Sequence, residues 1–112
     1  MTNAAGEPRA GTTSPGGPSA FLYGPAHLIM YGNAAFKTAY GAACIGQPAR
    51  EAMTDLPRAG FELMDRVLRE GRALATRVAL PGGERRFVVA PRRDPETGET
   101  YGVAIHLRAP TA

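Results

Sequence analysis

The ten residues 27–36, HLIMYGNAAF, constrain the fold of this chain more than any other stretch. His27, Leu28, Ile29, Met30 and Tyr31 read as a short buried strand over residues 27–31. Gly32 then leads directly into Asn33, whose side-chain oxygen can accept a bond from an orphan backbone N–H two or three residues on, so a helix starts there. Phe36 falls in the first turn, placed to fold back over the strand it has just left. Along the strand, His27, Ile29 and Tyr31 share one face, with Leu28 and Met30 on the other. Both faces are largely apolar, as expected of a central, covered strand.

The chain has 112 residues, room for one domain with a single core. Hydrophobic residues make up 44% and charged residues 21%, an ordinary balance for a globular protein. The net charge is only +3, with the arginines scattered among acids, which reads as a mixed solvated surface and disfavours a nucleic-acid partner. Cys44 is the single cysteine, which excludes an intrachain disulfide and a cysteine-based zinc site. No apolar run approaches the roughly 18 residues of a membrane span, and the start lacks a secretory pattern. The expected compartment is the cytoplasm, with no membrane partner.

Residues 1–19 are rich in Gly and Pro and hold no large apolar side chain after Met1, so they read as a flexible tail. Residues 21–23 form a short strand ended by the turn pair Gly24-Pro25. A helix over 33–40 sets Phe36 and Tyr40 on one face and ends at Gly41. Residues 42–54 hold short helical pieces interrupted by Gly46 and Pro48, and Leu56 is held extended before Pro57. The clearest helix is 60–70, where Phe61, Met64 and Leu68 share a face that Leu63 and Val67 widen. Glu62–Arg66 and Asp65–Arg69 are acid-before-base pairs at i+4, and Gly71 stands at the C′ position.

Three strands follow. Leu74, Thr76, Val78 and Leu80 alternate with Ala75, Arg77 and Ala79. After Pro81-Gly82-Gly83-Glu84 the chain returns over 85–90, with Pro91 closing that strand. The loop 94–99 has strong turn chemistry. Beyond it Tyr101, Val103, Ile105 and Leu107 face one way, and Gly102, Ala104, His106 and Arg108 the other. Two strands, several helices and three antiparallel strands make an α+β fold with the helices on one face of a five-stranded antiparallel sheet.

This order resembles the PAS domain family over residues 21–109. The resemblance rests on Asn33 and Phe36 at the strand-to-helix turn, Gly41, Ile45-Gly46, the helix ending in Gly71, the Pro81-Gly82-Gly83 and 94–98 hairpins, and Gly102 in the last strand. It implies a sheet order of 2-1-5-4-3 and a sensory domain over residues 20–109, between tails 1–19 and 110–112. It implies a module of a bacterial signal-transduction protein that binds a small-molecule signal or a partner and relays it to an effector, without catalysis of its own. The Ala/Arg/Gly-rich texture is similar to that of actinobacterial regulators attached to histidine kinases, PP2C-type phosphatases or cyclase-like domains. The implied assembly is a homodimer.

The resemblance further implies a ligand cavity between the long helix and the sheet, lined by Met30, Phe36, Met53, Phe61, Met64 and Val103, with Arg77 as an anchor for an anionic ligand. The alternative is that these residues fill one another's space as a dry core. The module is then a ligand-free homodimerisation or protein-interaction domain, using an outer face with Ile29, Tyr31, Ala104 and His106. A flavin photosensor of this family needs a reactive cysteine in an Asn-Cys-Arg-Phe type motif, which Cys44 between Ala43 and Ile45 lacks. A haem sensor needs an axial histidine on the long helix, and 60–70 has none. Flavin and haem are therefore disfavoured, His27 and His106 are expected to be satisfied or solvent-facing rather than metal ligands, and the cofactor is left open. An enzyme needs a nucleophile with its base or two carboxylates in contrasting environments, and neither is apparent. Arg85, Arg86, Arg92 and Arg93 cluster around one hairpin without interleaved stacking aromatics, which again disfavours nucleic acid.

Overall fold

Alternating apolar residues in five short runs build the sheet, and one amphipathic helix covers it. The computed structural model describes residues 17–109, so residues 1–16 of the expected tail 1–19, and the tail 110–112, lie outside the described residues, while Ser19 of the expected tail already belongs to the first strand. Strands β1 (Ser19–Tyr23) and β2 (Leu28–Gly32) form a hairpin. Helix α1 (Ala34–Tyr40), a 3-10 turn (Ala42–Cys44), α2 (Ala49–Ala52) and α3 (Arg58–Glu70) follow. The chain closes with β3 (Leu74–Leu80), β4 (Gly83–Arg93) and β5 (Thr100–Arg108). Every neighbouring pair is antiparallel, and the sheet order is β2-β1-β5-β4-β3, as the resemblance implied.

The inner face of the sheet sets Leu22, Ile29, Phe87, Val89, Val103 and Ile105 against Phe36, Leu63, Met64 and Val67 of the helices. Burying each such side chain contributes on the order of 2 kcal/mol. The outer edge of β2 is not left open. Ile29 N–H donates to the Gln47 carbonyl at 2.9 Å, Gly46 N–H to that of Ile29 at 2.6 Å, and Ala49 N–H to that of His27 at 3.0 Å. This cover removes a strand edge that could otherwise pair with another chain.

Asn33 is the expected cap, and it does more than cap. Its Oδ1 accepts from Phe36 N–H at 2.9 Å and from Ser19 N–H at 3.0 Å. Its own N–H donates to the Ser19 carbonyl at 3.0 Å and its Nδ2 to the Gly17 carbonyl at 3.3 Å. Phe36 turns back over Gly32, where an added Cβ would stand 2.6 Å from the ring. Helix α3 ends as expected, with Gly71 in the left-handed region at φ 72° and its N–H on the Val67 carbonyl.

Several local expectations differ from what is observed. His27 is not in the strand; it occupies the preceding turn at φ +53° and is completely buried. Phe21 pairs with Tyr31 and Leu22 with Ile29, so Met30 is the extra residue of a β-bulge. The bulge puts Ile29 inward but Tyr31 outward, splitting the face that strict alternation would have shared. Strand β4 runs through Pro91, because beyond the Leu74–Val89 pair it has lost its β3 neighbour and a missing N–H breaks no ladder on that side. Helix α3 starts at Arg58, directly after Pro57. Neither expected ion pair on α3 forms: Arg66 pairs with Glu70 at 3.3 Å, and Asp65 turns to other elements.

Replacing Asn33 by Ala is expected to destabilise the fold by about 2 kcal/mol, the upper range for a cap, because a strand end is released together with a helix start. Asn33→Asp, which keeps the acceptor, should recover much of the loss in a thermal or denaturant melt. A cost under about 0.5 kcal/mol for Asn33→Ala, the level of an ordinary surface change, would contradict this account.

Candidate functional site: an apolar interior and an aromatic outer face

Of the residues expected to line a cavity, Phe36, Met53, Met64 and Val103 are fully buried in one cluster, and Phe61 is packed against it. Two others lie elsewhere. Met30 is 57% exposed, since the bulge in β2 turns it outward. The Arg77 side chain is 81% exposed on the outer face of β3, near Glu84 at 3.9 Å, so it is no anchor for an interior anion. A shallow polar hollow of about 480 Å³ opens at the C-terminal end of α3, beside Gly71 and Arg93. None of the expected lining residues borders it.

The interior carries one polar group that periodicity did not reveal. The Nε2 of His27 lies 2.8 Å from Oδ1 of Asp65, and Arg50 donates to the other oxygen of that carboxylate at 2.9 Å. The Arg50 guanidinium also stands 5.1 Å from the centre of the Phe61 ring. An ionised Asp65 only accepts, so Nε2 of His27 carries the proton of this bond. The other ring nitrogen, Nδ1, is buried and has no hydrogen-bond partner among the described residues. A chain of contacts thus runs from the core through α3 to the exposed Arg50 of α2. Its members are far apart in sequence, so no local spacing signals it.

Partial burial pushes the Asp65 carboxyl up, but the hydrogen bonds from His27 and Arg50 outweigh it and hold the group below the ordinary carboxylate range. Burial, then the Asp55 carboxylate that accepts its hydroxyl at 2.9 Å, raises Tyr40 well above the ordinary tyrosine range. Among the described residues no three His, Cys, Asp or Glu side chains gather into a possible metal site.

The opposite face of the sheet is aromatic and cationic. Phe21 and Tyr31 pack at 5.3 Å between ring centres, and Tyr23 and Tyr101 at 6.2 Å. Arg92 lies opposite Gly102 in the ladder, and its guanidinium reaches over Phe21 at 4.1 Å and Tyr101 at 5.5 Å. Gly102 is required there, since a Cβ would collide with the Leu22 carbonyl. The sequence expectation that these arginines lack neighbouring aromatics fails for Arg92, because the register, not the local sequence, brings the rings to it. His106 sits on the same face with Nε2 buried and unpartnered among the described residues. Burial, and then the charge of Arg108, lowers its pKa from 6.5.

No protein-family model matches the sequence. No curated protein sequence matches it either. Solved structures do. A sensory box sensor histidine kinase from Vibrio cholerae is similar with a TM-score of 0.70 at 14% identity, over 85% of this chain and 82% of that one. The PAS domain of histidine kinase ThkA is similar with a TM-score of 0.66 at 14% identity, over 80% of this chain and 95% of that one. VqmA bound to DPO is similar with a TM-score of 0.64 at 20% identity, over 85% of this chain and 52% of that one. The chain spans about half the length of the VqmA chains it matches. Together with the strand order, these likenesses define the fold as that of a PAS domain. Among the described residues no helix is long and apolar enough to cross a membrane.

Two pH responses follow. Asp65 holds its proton less tightly in the fold than in the unfolded chain, so its contribution is present above the unfolded carboxylate pKa and is lost as the pH falls through the folded one. Asp65→Asn should flatten that acid limb of a stability–pH curve and cost about 1 kcal/mol at neutral pH, a partly exposed pair being screened. For His106 the sense is reversed, because the unfolded chain takes up its proton first. Stability should therefore fall as the pH drops below about 6.5, and His106→Gln should remove that part of the loss. Unfolding curves at a series of pH values check both.

Proposed function

We propose that this chain is a sensory module of a bacterial signal-transduction protein, which binds a small-molecule signal between its helices and sheet and relays occupancy to an effector. The observation that carries the reading is His27: a fully buried imidazole whose Nδ1 has no partner among the described residues, in a fold whose apolar cluster includes Met53 and Met64. A buried polar atom left unpaired costs about 1–3 kcal/mol, and a ligand donor or acceptor at Nδ1 would recover it. Methionine walls accommodate varied ligand shapes. The His27–Asp65–Arg50 chain supplies a route from that interior to the surface of α2. VqmA, whose structure is described as bound to DPO, supports the class of reading and not the identity of the ligand.

In this reading the module is cytoplasmic, performs no turnover, and acts on a kinase, phosphatase or similar effector, in an actinobacterial-type regulator. A second reading, a ligand-free homodimerisation or protein-interaction module, is favoured by the exposed Phe21, Tyr23, Met30 and Tyr31 on the outer sheet face. VqmA is described as a dimer, which supports self-association in the same sense.

Native mass spectrometry of the purified full chain, with an absorbance spectrum through the visible range, separates the two. The expected result is a small-molecule adduct that is released on denaturation. The recovered compound, re-added at about 100 times its dissociation constant, should stabilise the fold by about 2.7 kcal/mol. A bare chain with no adduct removes the ligand reading and leaves the interaction module.

A further inference from the structure

The strand register creates a row of like charges that neither the core nor the fold requires. On the outer face Arg77 of β3 stands opposite Arg86 of β4, and Arg86 stands opposite Arg108 of β5. All three are exposed, and like charges directly opposite one another weaken a sheet. Glu84, 3.9 Å from Arg77, is the acid that offsets them on this face among the described residues. Towards β1 and β2 the same face turns apolar, with Val88, Ala104, Phe21 and Tyr31, and Arg92 lies across its middle.

We propose that this face docks an acidic amphipathic helix of a partner protein, its carboxylates along Arg77, Arg86 and Arg108 and its apolar stripe over Val88, Ala104 and Phe21. The proposal deepens the interaction half of the function proposed above and names the chemistry of the partner. Spacing supports it. Neighbouring strands are about 4.8 Å apart, so successive arginines in the row match acids three and four residues apart on one helix face, about 5–6 Å. The helix axis then runs across the strands, and along β4 the four residue steps from Arg86 to Ala90 cover about 13 Å, room for a helix about 10 Å across. A second copy fits less well, because a two-fold interface sets the patch against itself, and this face offers the arginine row only Glu84 as an acid among the described residues. Single-stranded nucleic acid would engage the arginines and rings but leaves Val88, Ala104 and Met30 without a role.

The test titrates the full chain with three probes, followed by amide NMR shifts. One is a synthetic peptide of about 18 residues, five helical turns, with leucines at i, i+3, i+4 and i+7 and glutamates along the flanks. The second has lysine at every glutamate, and the third is an oligothymidine of similar length. The glutamate peptide should bind at least about tenfold tighter than the lysine peptide, with shifts at Phe21, Val88 and Ala104. The triple variant R77E/R86E/R108E, confirmed folded by its melt, should reverse that preference. Equal binding of both peptides, binding of neither, or shifts confined to the helices would overturn the proposal. Tighter binding of the oligothymidine would overturn it in favour of nucleic acid, and a probe-free dimer with Phe21 covered would overturn it in favour of a second copy. A ligand adduct in the mass spectrum stands or falls independently of these outcomes.

Discussion

The amide of Asn33 holds together the two parts of the fold that cannot be built without each other. One oxygen, with two lone pairs, takes the N–H of Phe36 and the N–H of Ser19. The first of these bonds starts α1, and the second fixes the beginning of β1, which lies between β2 and β5. Because the Asn33 N–H also returns to the Ser19 carbonyl, strand end and helix start share one hydrogen-bonded unit. Phe36 is thereby delivered into the core at a set angle, and Gly32 leaves the space its ring needs. A short helix such as α1 has little stability in isolation, so its existence depends on this unit and on the burial of Phe36.

What could be read from the sequence follows from the range of the interactions. Strands β3 to β5 and helix α3 have periods of 2 and 3.6 residues carried by their own side chains, so their existence and most of their faces were legible. Tyr101, expected to face the same way as Val103, Ile105 and Leu107, is instead the extra residue of a bulge opposite Arg92 and Arg93 and joins Tyr23 on the outer face. Asn33 and Gly71 were legible because caps are local. The bulge at Met30 was not, since it is set by how β2 pairs with β1. The ion pairs on α3 were misassigned for the same reason. A helix-surface pair contributes only a few tenths of a kcal/mol, so the buried His27 and the neighbouring Arg50 compete successfully for Asp65.

The candidate sites divide along that line too. The resemblance implied one lining set; of it Phe36, Met53, Met64 and Val103 lie in the interior, whereas Met30 and Arg77 lie outside. His27 was placed at the start of a strand, yet it is a buried turn residue bonded to Asp65 of α3. Long-range polar contacts of this kind leave no trace in a single sequence, because the partners are chosen by packing and not by spacing.

The two faces of the sheet also differ in what sets their composition. Inside, the selection is for volume, and His27, the buried polar side chain among the described residues, is bonded at Nε2 and has no partner there at Nδ1. Outside, the folded chain gains nothing from aligning Arg77, Arg86 and Arg108, and the alignment works against pairing of the strands that carry them. Sequences are generally consistent across levels, and a local conflict that persists tends to coincide with function. Arg92 does not share in the conflict, for it is held by the rings of Phe21 and Tyr101 and stays part of the surface on which a partner would rest. Neutralising the row from outside would strengthen the β3-β4-β5 ladders against which α3 packs on the other face. If both proposals hold, occupancy of the outer face and of the interior would be coupled through these same three strands.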